Sequence, residues 1–379
     1  MLKRGDRILL VLAMVLTFGG LIMVFSAGSF AAFMHYSDSL YYLKNQITRT
    51  LVGLAAFLMA AKLNMRRLEE HSHWLLGLAC VLLVVVIAMG HMSNGATRWL
   101  RFGFLSLQPT DVARVAAVIF MAAWLKRHPV QTLGFWKGVM LPLGIVVVVC
   151  GLILKQPNLS SAAMLFATFF GMLLLAGAPL RYLAIPLGLG AVGAVYTVLT
   201  HEYMLKRVVT FVGFMFGGQL DTRGSGWQLD QSLIAIGSGG VLGRGLGGGM
   251  QKLLYLPEAH TDFIFSIIAE ELGLWGVTLL LVIMAWFLMR GLRAAARASD
   301  PFASLLAGGL TLQIGLYALA NLAVAIGLVP TTGLPFPFIS YGGSALLVNM
   351  AAVGLIFRVS AMNGDEDALA RQRWTREAS

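Results

Sequence analysis

Residues 256–265 read LPEAHTDFIF, and they open an apolar run that continues to Met289. Two carboxylates and a histidine, Glu258, His260 and Asp262, fall within five residues, immediately before a segment long enough to cross a bilayer. A bilayer takes roughly 20 apolar residues per helix. Ionisable groups at the edge of hydrocarbon are costly and so tend to be functional. Upstream lies the glycine tract 237–249, whose composition opposes a membrane helix. The pattern is a membrane span with a polar, irregular loop at its mouth.

The rest of the chain agrees. Of 379 residues, 58% are hydrophobic and 12% charged, with a mean hydropathy of +0.80. A soluble domain carries about twice that charge. The expected fold is all-α: a polytopic membrane protein with about ten transmembrane helices. The spans fall near Ile8–Phe30, Ile47–Ala61, Trp74–Gly90, Thr110–Leu125, Val139–Leu154, Ser160–Ala176, Tyr182–Leu199, Phe263–Met289, Ser304–Leu328 and Ser344–Val359. The run from Ile8 exceeds a signal-peptide core and reads as a retained first span. Cys80 and Cys150 lie inside apolar runs and read as packing residues.

With the N-terminus inside, 17 of the 28 Lys and Arg residues fall on the cytoplasmic side, so the net charge of +11 reads as topology and attraction to membrane lipids, not as a nucleic-acid footprint. Both ends are then cytoplasmic. Residues 1–362 form one transmembrane domain and 363–379 a polar, mobile tail. A large external loop, about 200–261, joins spans 7 and 8, and its apolar pieces suggest short helices on or in the membrane. Asn94–Pro109, Lys155–Leu159 and Pro330–Gly343 are the other irregular external pieces.

Polar residues gather on that external face: Arg98, Lys155, Arg244, Lys252, Glu258, His260 and Asp262. Cations around a carboxylate suit a substrate with a phosphate leaving group. The carboxylate takes a proton from an attacking hydroxyl while the cations stabilise departing charge. Each residue also has a plainer reading. Thr261 or Asp262 is placed to cap the eighth span, Glu258 to sit in solvent, and His260 to hydrogen-bond in a loop. The glycine tract lacks the lysine and preceding strand of a nucleotide loop. His71 and His73 alone make a weak metal signal. Asp111 and Arg114 stand three apart, where they can pair on one helix face.

Five stretches resemble the SEDS family (shape, elongation, division and sporulation proteins, including RodA and FtsW). They are NGATRWL at 94–100, LSLQPTD at 105–111, GSGWQLDQSLIAIGSGG at 224–240, GLGGGMQKLLYLPEAHTDFIFSIIAEELG at 245–273 and GLPFPFISYGGS at 333–344. The resemblance covers nearly the whole chain and leans toward the division branch. It implies a peptidoglycan glycosyltransferase that polymerises lipid II at the outer face of the cytoplasmic membrane, beside a class B penicillin-binding protein. It implies that Asp262 is the essential aspartate, that Glu258 and His260 share its motif, and that Arg98 is the motif arginine of the 94–100 loop. The chain departs from the family pattern at Asn158, where an aspartate is usual, at Trp227, where tyrosine is usual, and at Thr332, where many division-type members carry lysine. No cofactor is evident, and a divalent cation assisting the pyrophosphate stays open. Ten spans and glycine-rich breaks also suit a flippase of lipid-linked precursors. A scaffold without catalysis is a third reading.

Overall fold

The computed structural model describes residues 5–89, 91–93, 96–102, 105–216 and 225–377. Its helices are α1 (Arg7–Tyr36), α2 (Tyr41–Ala60), α3 (Met65–Glu70), α4 (Ser72–Met89), α5 (Pro109–Arg127), α6 (Val130–Phe135), α7 (Leu141–Leu154), α8 (Leu159–Leu175), α9 (Leu180–Thr200), α10 (Glu202–Met215), α11 (Ser225–Gly239), α12 (Ile264–Ala296), α13 (Pro301–Ala325) and α14 (Gly343–Glu377). A π-helical turn, Trp136–Met140, leads into α7.

Helices stand at all ten expected span positions. Among the described residues, seven of the helical stretches are long and apolar enough to cross a membrane: those at Arg7–Tyr36, Ser72–Met89, Trp136–Leu154, Leu180–Thr200, Ile264–Ala296, Pro301–Ala325 and Gly343–Asn363. The helix Leu159–Leu175 is apolar but shorter. The protein is therefore a multi-pass helical membrane protein, while the count of ten crossings goes beyond these seven.

One expectation is corrected and two gain detail. First, the segment 91–107 forms a small antiparallel sheet in the order β1 (His91–Ser93), β2 (Ala96–Phe102), β3 (Leu105–Leu107), with Leu100 facing Leu107 and Arg101 facing Ser106. The β-branched and aromatic residues Thr97, Trp99 and Phe102 suit a strand. Second, the region 200–261 carries short helices, as its apolar pieces suggest: α10 and α11, the latter containing Ser232–Ile236, followed by a chain of turns. Third, the backbone of the polar tail continues α14 to Glu377.

Polar contacts sort by end of the bundle. At one end, Asp6 caps α1 and binds Arg290 of α12 at 2.6 Å, and Lys126 bridges Glu69 and Asp300 at 2.8 and 2.7 Å. Within the helices, Arg114 and Asp111 of α5 are both buried, 3.4 Å apart. Ser344 of α14 donates to Asp111 at 2.5 Å, Arg114 donates to Asn349 at 2.9 Å, and Arg114 lies 4.3 Å over the Tyr317 ring of α13. Breaking a buried charge pair by removing one partner is strongly destabilising, and here the contacts of the pair join α5, α13 and α14.

The glycine tract explains the shape of α12. The helix breaks at Gly273, whose φ is +64°. Its freed backbone groups are taken by the tract. Arg244 N–H donates to Glu270 O at 3.0 Å, Gly245 N–H to Glu271 O at 2.9 Å, and Leu274 N–H to Gly240 O at 3.0 Å. A Cβ at Gly273 would lie 2.3 Å from Gly243 N, so only glycine fits. The side chains beside the break complete the join. Glu270 accepts from Met250 and Gln251 N–H at 2.8 and 3.2 Å. Glu271 accepts from Gly247 N–H at 3.1 Å, Ser26 at 2.7 Å and Lys252 at 2.6 Å. Non-helical backbone inside a membrane protein is tolerated where protein satisfies its polar groups.

Candidate active site

Asp262 lies two residues before the start of α12, on the turn 258–263. Glu258 adopts a left-handed φ of +55°, and its carbonyl accepts N–H groups from Thr261, Asp262 and Phe263 at 3.2, 3.1 and 3.3 Å. Thr261 Oγ1 donates to the Glu258 carboxylate at 2.7 Å. A second strap, the segment 333–341, clamps this turn. Tyr341 N–H donates to His260 O at 2.9 Å and Ser340 Oγ to Thr261 O at 2.5 Å. From α13, buried Asn321 donates to the carbonyls of Asp262 and Leu334 at 2.7 and 2.8 Å.

The capping reading of Thr261 and Asp262 does not hold. The cap residue of α12 is Phe263, with no side-chain capping bond. Thr261 is turned to Glu258 instead, and the Asp262 carboxylate makes no hydrogen bond or ion pair among the described residues. Burial and the nearby Glu258 charge push Asp262 up to about 7 from an ordinary 3.8, against the opposing pull of Arg207 and Arg98. Desolvation thus outweighs two guanidinium groups. A carboxyl poised near neutrality and free of partners has what a general base needs.

Arg98 reaches this site from β2. Its Nε donates to Gln156 O at 2.9 Å and its Nη2 to Pro157 O, so two of its donors hold the α7–α8 turn. Burial lowers its pKa, and Arg207 lowers it further while Tyr203 and Asp262 raise it. Lys155, exposed at the end of α7, adjoins the same turn. Asn158 caps α8 by accepting from Ser161 N–H at 3.2 Å, so the amide at this departure from the family pattern keeps the capping bond.

Glu258 is exposed beside Asp262. His260 is half-buried, its ring 4.3 Å from Tyr42 and 5.5 Å from Tyr341, and burial holds it below its ordinary pKa. Arg244 and Lys252 go elsewhere. Lys252 is buried against Glu271 and Ser26, and Arg244 lies 3.8 Å from Glu270 and donates to Ser238 O at 3.3 Å. Both cations are occupied in fixing the glycine tract to α12. No group of three or more His, Cys, Asp or Glu able to hold a metal occurs among the described residues.

The sequence reading missed Arg207, Asn321 and Ser340. Arg207 lies on α10, donates from Nη1 to Thr331 O at 2.7 Å and from Nη2 to the Tyr203 hydroxyl, and its charge reaches Asp262. Its signal was faint: one basic residue in a region read as loop. Asn321 was legible as a polar residue inside an apolar run, and Ser340 as part of 333–344.

Residues 6–364 match the family described as "Cell cycle protein", that of FtsW, RodA and SpoVE. The chain is 40% identical over 359 residues to "Probable peptidoglycan glycosyltransferase FtsW" of Methylococcus capsulatus, covering 93% of this chain and 89% of that one. It is 36% identical over 362 residues to the protein of the same name from Geobacter metallireducens, covering 95% of each. Among solved structures, one from work on the structural coordination of polymerization and crosslinking by a peptidoglycan synthase complex matches with a TM-score of 0.77 at 28% identity, covering 94% of this chain and 97% of that one. Rod shape determining protein RodA of Thermus thermophilus matches with a TM-score of 0.69 at 27% identity, covering 94% and 96%. With residues 6–364 spanned by one family model and relatives 36–40% identical over most of the chain, this chain belongs to the FtsW, RodA and SpoVE family of cell cycle proteins.

Proposed function

We propose that this protein is a peptidoglycan glycan-strand polymerase that uses lipid II. Asp262 takes the proton from the acceptor sugar hydroxyl. The oxygen attacks the anomeric carbon of the growing chain, the bond from that carbon to the diphosphate oxygen breaks, and undecaprenyl pyrophosphate leaves with the electron pair. Attack opposite the leaving group converts an α linkage to β. Arg98 faces the developing negative charge, where a fixed cation stabilises the transition state more than the ground state. The carrying observation is the unpaired Asp262 carboxylate, poised near 7 with two arginines in reach.

The names of the relatives support the reaction and the division role, and the synthase-complex match supports a class B penicillin-binding partner. The basic residues support an external site and cytoplasmic ends. The test is glycan synthesis from lipid II by the purified protein, alone and with a co-purified class B penicillin-binding protein. Polymer is expected from wild type and none from Asp262→Asn. Polymer from both excludes the mechanism, and lipid II translocation without polymer establishes the flippase reading instead.

A further inference from the structure

The cations beside Asp262 are unbalanced. Neither Arg98 nor Arg207 forms an ion pair among the described residues, yet each lies within the other's field and within that of Asp262. They come from elements far apart in sequence, β2 and α10. Folding brings two guanidinium groups together around a single carboxylate, and that carboxylate is itself held near neutrality. Such an arrangement repels cations and attracts a strongly anionic ligand.

The junction around Arg207 adds direction. Its Nη1 binds Thr331 O at 2.7 Å, and its ring neighbour Tyr203 lies 4.4 Å beneath the guanidinium. The remaining donor, Nε, is buried and finds no partner among the described residues. The same holds for the hydroxyls of Thr331 and Thr332. Thr331 is more than nine-tenths buried. Buried polar atoms are nearly always paired, so three unpaired ones at one junction call for an explanation. A tether between α10 and the 326–342 segment accounts for Nη1 and leaves Nε and both hydroxyls unexplained. A planar guanidinium with adjacent hydroxyls is a donor set for phosphate oxygens.

Resting on the polymerase reading above, we propose that Arg207, Thr331 and Thr332 form a phosphate subsite beside Asp262 that holds the diphosphate of a lipid-linked substrate. Arg98 lies within the same carboxylate's field. The two arginines then share the diphosphate charge, and its bond to the anomeric carbon is aimed toward the base. The phosphate of a membrane headgroup has the same chemistry, so the two sources are tested separately.

The experiment measures binding of undecaprenyl pyrophosphate to the full-length purified protein, alongside binding to phosphatidylglycerol nanodiscs. The variants are Arg207→Gln, Arg207→Lys and the control Lys206→Gln, whose side chain is exposed and paired with Glu202 at 2.6 Å. Arg207→Gln is expected to weaken undecaprenyl pyrophosphate binding by about 10- to 100-fold, as for a lost charged hydrogen bond, with nanodisc binding unchanged. Arg207→Lys is expected to fall between, and Lys206→Gln to bind as wild type.

A second readout separates binding from a structural role. The groups facing Asp262 are Glu258 on its own turn, Arg98 on β2 and Arg207 on α10. Loss of the Arg207 charge therefore moves the midpoint of the pH–rate profile upward, and Arg207→Lys leaves it near wild type. Wild-type affinity in both Arg207 variants overturns the subsite. So does a loss confined to phosphatidylglycerol, which makes it a headgroup site. If Arg207→Gln does not fold, wild-type affinity in Arg207→Lys overturns the subsite and reduced affinity upholds it. Wild type that polymerises lipid II with an unaffected Arg207→Gln sinks the subsite alone. Wild type that makes no glycan sinks the polymerase reading itself.

Discussion

Asn321 holds Asp262 from behind: one side-chain amide donates to the backbone carbonyl of Asp262 at 2.7 Å and to that of Leu334 at 2.8 Å. The base-bearing turn and the strap 333–341 are thereby fixed to α13, a buried helix. The carboxylate itself is left free.

Asn321→Leu removes both donors and leaves two carbonyls unpaired. Each unpaired buried group costs about 1–3 kcal/mol, and a displaced base loses rate steeply, by about 10² for a 1 Å shift. The expected result is a protein that inserts and is purified, with lower kcat and a KM for lipid II changed less. Steady-state polymerisation checks it. An unchanged kcat refutes the positioning role.

Asp262→Asn isolates the proton transfer. Asp262 caps nothing, so the change leaves α12 intact. Loss of a general base costs about 10²–10⁴ in rate. Glycan synthesis is expected to fall by at least that lower figure at normal abundance. The same variant has a stability signature. A carboxyl with a folded pKa raised above its unfolded value loses stability as pH rises from about 4 toward about 7, because the folded state resists ionisation. Asp262→Asn removes that penalty, so its thermal midpoint is expected to equal or exceed wild type at pH 8. A lower midpoint there contradicts the burial argument.

The rate is expected to follow ionisation of Asp262, rising with pH through about 7 and levelling above it. Arg98 pulls that value down, so Arg98→Gln moves the midpoint to higher pH as well as weakening substrate binding. Arg98→Lys keeps the charge but loses the fork that holds the carbonyls of Gln156 and Pro157, so its activity drops while its midpoint stays closer to wild type. A flat profile between about pH 5.5 and 8.5, a window of roughly 1.5 pH units either side of the raised value, argues against Asp262 as the base.

The join between the glycine tract and α12 is expected to fail as a unit. Gly273→Ala combines a left-handed φ with a Cβ 2.3 Å from Gly243 N. Glu271→Gln leaves Lys252 buried without its counter-charge, a loss of about 3–5 kcal/mol for such pairs. Both variants are expected to reduce folded yield, measured by thermal unfolding in detergent. Lys252→Met with Glu271→Met, which removes both charges, is expected to be milder than Glu271→Gln. Equal damage from all three points to packing instead of charge as the cause.

The sequence by itself determined the membrane class, the helix positions and the motif that carries Asp262. Those are properties of runs of 10 to 30 neighbouring residues: apolar length, charge sidedness and glycine content are legible locally. It also exposed Asp111 with Arg114, because partners three apart share a helix face. It misjudged what depends on distant partners. Thr261 and Asp262 looked like caps because spacing cannot show that Thr261 turns back to Glu258 and that Phe263 stands at the cap position. Arg244 and Lys252 looked like substrate ligands because both lie among external polar residues, and only folding shows them drawn against Glu270 and Glu271. Arg207 went unseen for the converse reason: 55 residues from Asp262 in the chain, it comes into range only when α10 packs beside the turn. The tertiary structure decided which cations are neutralised and which stay free, because pairing is settled by through-space distance and burial, and neither is written in local sequence.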